Sequence, residues 1–258
     1  MAISNFENSK ESPQRYNFGF IASTDDHTAR PGTGYKQYER RKMTFATGVK
    51  SKMWEYEYAA EDPNFPEIPK ITPGESQPDS ERVSSFVYPG GILAVHAKGR
   101  GKEEIWNALK NKNVYGTSGP RILLWFDLIN SPIGQVPMGS EITMSQNPKF
   151  IIRAAGSFKQ NQGCSDESID SLSPERLEYL CAGECYNPSN EREVIEKIEI
   201  IKITPQIYAG EAVSPLIQDP WKSIPCQGKG ECIVEFEDQN FSRDSVYYVR
   251  AIQNPTPA

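Results

Sequence analysis

Asp25 and His27 are the residues of this 258-residue chain whose types and spacing best suit catalytic chemistry. They follow an apolar run, residues 20–24, that is typical of the end of a strand. On an extended backbone, side chains two residues apart project to the same side. A carboxylate and an imidazole on one face are suitable ligands for a divalent metal such as Zn, Mn or Fe. The alternative is an aspartate that caps the following turn, with an exposed histidine beside it.

Two further residues could assist this pair. Asp26 points away on an ideal strand, but a bend at the strand end would make it a reserve ligand or a hydrogen-bond partner for the imidazole. His96 is the other histidine of the chain and ends the buried-strand pattern of residues 90–97. It is either a hydrogen-bonded structural residue or a group that lines the same cavity.

Two polar loops are candidates for binding an anion. Arg30 precedes a glycine-containing turn, residues 32–34, in which backbone N–H groups and a guanidinium could meet an oxyanion. Thr117, Ser118 and Arg121 form a second candidate. The alternative for each loop is an ordinary turn with a solvated arginine. The chain contains no Gly-x-Ser-x-Gly elbow, no phosphate-binding loop ending in Gly-Lys-Ser/Thr and no His-Glu-x-x-His motif.

The five cysteines all lie in polar loops of the second half of the chain. They are Cys164, Cys181, Cys185, Cys226 and Cys232. Loop cysteines favour disulfides, which indicate an exported parent protein, periplasmic or extracellular. Free thiols and a zinc site at the Cys-x3-Cys pair are the alternatives. No secretory signal precedes the first strand, and both ends of the chain look cut.

Charge and hydropathy restrict the partners. The net charge of −6 and the pI near 5.2 argue against nucleic acid, because phosphate binding needs a cationic surface. No apolar run approaches the roughly 20 residues that span a membrane.

The pattern of apolar residues divides the chain at about residue 120. The first part contains a short buried strand over 16–24, a Pro-rich insertion over about 55–85, a strand over 90–97 and a helix over about 102–112. The strand–helix order is typical of an α/β barrel or a layered sheet. The second part contains β-rich runs and one helix, over 173–181, and favours an antiparallel sandwich. The predicted strands of this part are 122–129, 141–144, 149–155, 195–204, 231–237 and 245–252.

Several separated motifs, in the same order, resemble a bacterial family of unknown function that is related to the polymerase-and-histidinol-phosphatase (PHP) metal-dependent hydrolases. The motifs are Phe18–Thr28 with Arg30–Gly34, Gly90–Val95, Tyr115–Ile122, Pro137–Ser140, Gly183–Pro188 and Tyr247–Ala251. The resemblance implies a distorted barrel of parallel strands with a metal cluster at the strand ends, followed by a β-rich domain. The family's late Ser-Asp-x-His motif falls on Asp25 and His27.

The resemblance also implies a function. Metal-bound hydroxide would attack a phosphoester or a related ester. The chain departs from the family because it has no His-x-His motif, so it resembles the C-terminal portion of such an enzyme and lacks most of the metal ligands. We therefore expect an α+β fragment: a partial barrel over 1–120 and a sandwich-like domain over 121–258, inactive alone. The alternative is a non-catalytic module that binds a glycan or a protein. The oligomeric state is left open.

Overall fold

The fold is given by a computed structural model that describes residues 1–23, 91–181 and 186–255. Its strands are β1 (Ser4–Asn5), β2 (Gln14–Arg15), β3 (Leu93–Val95), β4 (Val114–Gly116), β5 (Leu123–Ser131), β6 (Gly134–Pro137), β7 (Lys149–Ala155), β8 (Phe158–Gln162), β9 (Tyr186–Arg192), β10 (Ile195–Ile203), β11 (Ile217–Pro225), β12 (Glu231–Glu237) and β13 (Val246–Gln253). Its helices are α1 (Lys102–Lys110), α2 (Asp166–Ser171) and α3 (Pro174–Cys181). The Pro-rich insertion lies outside the described residues.

Two antiparallel sheets form the centre of the fold. One has the strand order β12-β7-β5-β6 and the other has the order β11-β10-β13. Alternating apolar residues of β5, β7 and β12 meet those of β10 in one core: Leu124, Phe126, Phe150, Ile152, Ala154, Ile195, Ile198, Ile200, Cys232 and Val234. Each of these strands has a second face with polar residues, as expected for packed antiparallel sheets. The β-rich, sandwich-like architecture predicted for this half is confirmed.

A disulfide joins the two sheets. It links Cys226, directly after β11, to Cys232 in β12, with the two Cα atoms 5.7 Å apart. Both cysteines are among the predicted disulfide candidates, and the bond is compatible with an exported protein. Cys164 lies half-buried just before α2. Cys185 and the side chain of Cys181 lie outside the described residues.

Helix α1 and its flanking strands form a small unit beside the sandwich. Glu103 and Glu104 occupy the first turn and Lys110 the last, so the charges complement the helix dipole as predicted. The strands on either side of the helix pair with each other antiparallel, with Leu93 opposite Gly116. The resemblance implied parallel strands, so this pairing corrects it. The described residues do not close a barrel.

Two predicted strands are wrong. Residues 16–23, the described part of the first one, are irregular and largely exposed, because their apolar side chains pack on β4 and β13 without a backbone ladder. Residues 141–144 are also irregular. The edge strands β6, β8, β9 and β11 were not predicted, because they are polar or contain proline.

The N-terminal residues are anchored on the loop after β10. Gln206 donates its backbone N–H to the Ala2 carbonyl at 2.8 Å, and Ser4 Oγ donates to the Gln206 carbonyl at 2.9 Å. Ala2 and Ser4 are buried. Among the described residues, no helix is long and apolar enough to cross a membrane.

Candidate functional site

The candidate site is a cleft of about 1050 Å³ at the edge of the sandwich. Its walls are residues 15–21, the segment from β4 to Ile122, residues 136–144 and β13. The cleft reaches the sandwich core at Leu124, Phe126 and Phe150. A concave, mainly apolar cleft of this size is typical of a small-molecule site.

The first wall is extended chain held against β4. A β-carbon at Gly19 would lie 3.2 Å from Lys112 Cγ, and one at Gly116 would lie 2.8 Å from Ala22 Cβ. Glycine at both positions lets the two segments approach closely. Gly19 lies beside Lys112, before β4, and Ala22 lies beside Gly116, at the end of β4. Residues 19–22 therefore run in the same direction as β4.

Aromatic side chains continue this wall to β13. The rings of Phe18 and Phe20 meet edge to face at 6.3 Å, and Phe20 lies 5.5 Å from the ring of Tyr248. Phe18 is 55% exposed and Phe20 is 45% exposed. A local sequence pattern does not predict this contact, because more than 200 residues separate Phe20 from Tyr248.

Thr117 and Ser118, predicted to bind an anion, lie on the rim of the cleft. The Thr117 N–H donates to the Ile92 carbonyl at 2.9 Å, and the Ile92 N–H donates to Thr117 Oγ1 at 3.2 Å. The Thr117 hydroxyl therefore keeps its own proton for a ligand. Ser118 is exposed, and so is Arg121, which does not line the cleft.

The same rim lies beside Ser23, the last of residues 16–23. A β-carbon at Gly91 would lie 2.8 Å from the Thr117 carbonyl oxygen and 3.5 Å from that of Ser23. Ser23, the last described residue before Asp25, thus lies beside the Thr117–Ser118 loop. Asp25, Asp26, His27 and Arg30 themselves lie outside the described residues.

His96 has a structural contact. Its Nε2 lies 2.8 Å from the Leu124 carbonyl oxygen, which requires the proton on Nε2. Its ring packs against Tyr115 at 5.5 Å and Trp125 at 5.9 Å. This agrees with the structural interpretation of His96, which ties β3 to β5. Burial raises the pKa of Tyr115, whose hydroxyl donates to the Ile122 carbonyl.

Within the described ranges, no three His, Cys, Asp or Glu side chains come together in a way that could hold a metal ion. The described residues alone therefore do not fit a divalent metal, and no reaction step is assigned to one.

A buried charge network was missed by the sequence analysis. Asp238 is fully buried and accepts hydrogen bonds from Lys202 Nζ, from Tyr247 OH at 2.5 Å and from Asn240 N at 3.1 Å. Its burial works to raise its pKa, but these donors lower it overall. The burial of Tyr247 and its bond to Asp238 raise the pKa of that phenol. An aspartate after a strand reads as an ordinary turn residue, so nothing in the sequence marked it.

Comparison with known proteins gives one match. Residues 6–127 match the model of a family described as "Protein of unknown function (DUF3604)", which covers less than half of the chain. For this part of the chain, the predicted similarity to a family of unknown function is confirmed, while the relation to PHP hydrolases stays a prediction. No curated protein and no solved structure matches the chain.

Proposed function

We propose that the chain is the C-terminal part of a PHP-like, metal-dependent hydrolase that acts on phosphoesters or related esters. The observation that carries the proposal is the common direction of residues 19–22 and β4. Ser23, two residues before the Asp25-x-His27 motif, lies at the rim where β4 ends, beside the hydroxyl-bearing residues Thr117 and Ser118. In α/β barrels and open parallel sheets, sites form at such shared carboxyl ends of strands.

The residues have separate roles in this proposal. Asp25 and His27 are metal ligands, with Asp26 as a reserve ligand or partner of the imidazole. Thr117 and Ser118 donate hydrogen bonds to a substrate oxyanion, and Arg30 is a further candidate for that role, whereas Arg121 does not line the cleft. The remaining ligands belong to a longer parent chain, because this sequence has no His-x-His motif.

The test is the metal content of the purified chain, measured by inductively coupled plasma mass spectrometry. Zn, Mn or Fe that is bound to the wild type and lost in the Asp25→Ala/His27→Ala variant would support the two ligand roles. Asp166→Ala/Asp170→Ala is the matched control, since both carboxylates are exposed on α2 and should not affect the metal. Retention of the metal in the first variant would count against the proposal, and a metal-free wild type would show that Asp25 and His27 hold no metal without the ligands of the longer parent chain.

A second candidate is a non-catalytic module that binds a glycan or a protein. The exposed rings of Phe18 and Phe20 on the cleft wall favour it, because aromatic faces are common contacts in recognition sites. Metal-free protein that binds soluble oligosaccharides, and loses them in Phe20→Ser, would support this candidate over the hydrolase.

A further inference from the structure

The cleft follows the edge of a sheet. In the described part of the chain, β13 pairs with β10 on one side and with no strand on the other. Every residue of β13, from Val246 to Gln253, lines the cleft. Side chains alternate between the two faces of a strand, so a cavity that borders every residue must run along the edge of that strand. For the eight residues of β13 this edge is about 27 Å long.

Four residues of β13 turn their backbone groups toward this edge. The N–H of Asn254, directly after β13, donates to the carbonyl of Val194, directly before β10, at 2.9 Å. Backbone groups of successive residues in an antiparallel strand point to opposite sides, and every residue of β13 is paired with β10. The residues whose N–H and C=O groups point away from β10 are therefore Tyr247, Val249, Ala251 and Gln253. Such an edge is a template for pairing with a further strand.

The floor of the cleft is an open side of the sandwich core. Val249 and Ala251 pack against the core cluster but are only half-buried, whereas Ile200 of the neighbouring strand is fully buried. Leu124 and Phe126 of the opposite sheet also line the cleft. The sheet that contains β13 has three strands and packs on a sheet of four. One more strand beside β13 would bury its alternate side chains against these residues.

The charges along the cleft balance. Arg15 pairs with Asp244, and Arg250 pairs with Glu199 at 3.0 Å. The other acidic and basic side chains among the described residues of the lining are one of each sign, Lys112 and Glu141. Because neither sign is in excess, the complementary ligand is one without net charge.

We propose that the cleft binds an extended segment of a second protein, which adds an antiparallel strand to the edge of β13. The segment is uncharged, about eight residues long to match β13, and apolar at alternate positions. Directly opposite residues of antiparallel strands share a face, so its apolar residues lie opposite the inward-facing Val249 and Ala251. The N–H and C=O groups of those same apolar residues bond to β13. The inference does not depend on the proposed hydrolase.

A second copy of the chain fits this edge less well than a single segment. On each copy, β13 lies between two walls of the cleft, residues 16–21 and residues 136–144. When two copies approach, these walls meet before the two strands reach pairing distance, which is about 4.8 Å. An extended segment carries no such walls.

The experiment compares two isomeric peptides by isothermal titration calorimetry on the full chain. Both are capped octapeptides of alternating threonine and valine. One is N-methylated at every threonine, and the other at every valine, so each peptide keeps hydrogen-bond donors along one edge only. We expect the threonine-methylated isomer to bind at least about tenfold more tightly, because its four valine N–H groups remain able to donate to β13. Replacement of its valines by serine should remove the binding.

A pair of variants locates the peptide on β13. Val249→Pro removes an N–H that faces the cleft and leaves the pairing with β10 intact, since proline is tolerated at such edge positions. It should weaken the threonine-methylated isomer at least about fivefold. Val249→Thr is the control, because it keeps the N–H and the branched shape of the side chain, and should change the affinity by less than about twofold. Circular dichroism checks that both variants are folded.

The peptide comparison on the wild-type chain decides the inference even where Val249→Pro does not fold. Three results would overturn it: equal affinity of the two isomers, tighter binding of the valine-methylated isomer, or no saturable binding of either up to about 1 mM. Sedimentation equilibrium should show a monomer. A dimer that is lost in Val249→Pro would instead put a second copy on β13 and would also overturn the inference. The metal analysis is unaffected by any of these results.

Discussion

At the scale of single residues, Asp238 is a charge buried inside the sandwich. Its side chain has no exposed surface, and Lys202, which donates to it, is also nearly buried. Lys202 Nζ also lies 5.3 Å from the centre of the Trp221 ring. Removing one member of a buried pair leaves the other charged and without compensation, which is more costly than the pair is stabilising.

We expect Asp238→Asn to destabilise the protein by about 3 kcal/mol or more, because Lys202 then keeps a buried charge without a counter-ion. Urea unfolding followed by circular dichroism measures the change. Asp244→Asn is the control: Asp244 also pairs with a cation, Arg15, but its side chain is 69% exposed, so the loss should be within about 1 kcal/mol. Equal losses in the two variants would contradict the assignment.

The same aspartate gives the fold a specific sensitivity to acid. The pKa of Asp238 is lower in the folded protein than its ordinary value of 3.8. Its ionised form therefore stabilises the fold fully above that ordinary value, and this contribution is lost as the pH falls through the lower folded-state pKa. Wild-type stability should fall below about pH 4 more steeply than that of Asp238→Asn, in urea titrations at pH 2–6.

At the scale of elements, the sequence predicts strands well where one face enters the core. Strands β7 and β12 have the predicted bounds, and β5, β10 and β13 differ from theirs by one or two residues, because alternation of apolar residues reports burial directly. Strands β8 and β9 have no such pattern, since they pair with each other in an exposed polar hairpin. Residues 16–23 are the opposite case. Their apolar side chains predicted a buried strand, but those of residues 16–21 line the cleft and form no sheet.

A glycine fixes the connection between α1 and the sandwich. Gly139 has φ +87°, and a β-carbon there would lie 2.3 Å from the carbonyl oxygen of Lys112, two residues after α1 ends. Gly134 has a similar φ of +94° but open space around it.

Both glycines should tolerate alanine poorly, but to different extents. Gly134→Ala should cost about 1–2 kcal/mol from backbone strain alone. Gly139→Ala should cost about 1–3 kcal/mol more, because the helix end must move away. Thermal and urea unfolding of the two variants compare them directly, and equal destabilisation would show that α1 does not rest on this glycine.

At the scale of the whole molecule, the sequence alone does not predict which segments form the walls of the cleft. Thr117 and Ser118 were found because a short polar loop after a strand is recognisable locally. The opposite wall was not, because Phe20, Met138 and Tyr248 come together only through the packing of distant segments. A local pattern identifies what each residue is able to do, whereas the tertiary fold decides which residues act on one ligand.

The disulfide between the sheets should contribute measurably to stability. Its cysteines are six residues apart, and closure of such a short loop is worth about 2 kcal/mol through the entropy of the unfolded chain. We expect Cys226→Ser/Cys232→Ser to lower the melting temperature, and reductant to lower that of the wild type equally. Cys164→Ser is the control and should still respond to reductant. A wild-type melting temperature unchanged by reductant would contradict a structural role.

The polar hairpin of β8 and β9 has an evolutionary consequence. Its two ends meet, since the Glu193 N–H donates to the Ser157 carbonyl at 2.8 Å, and β7 and β10 enter the core on either side of this junction. The described residues of the segment between them, including α2, contribute nothing to the buried core cluster. Insertions and deletions there would leave the pairing of the core strands intact, so relatives of this protein can differ in that segment by tens of residues while sharing the same sandwich.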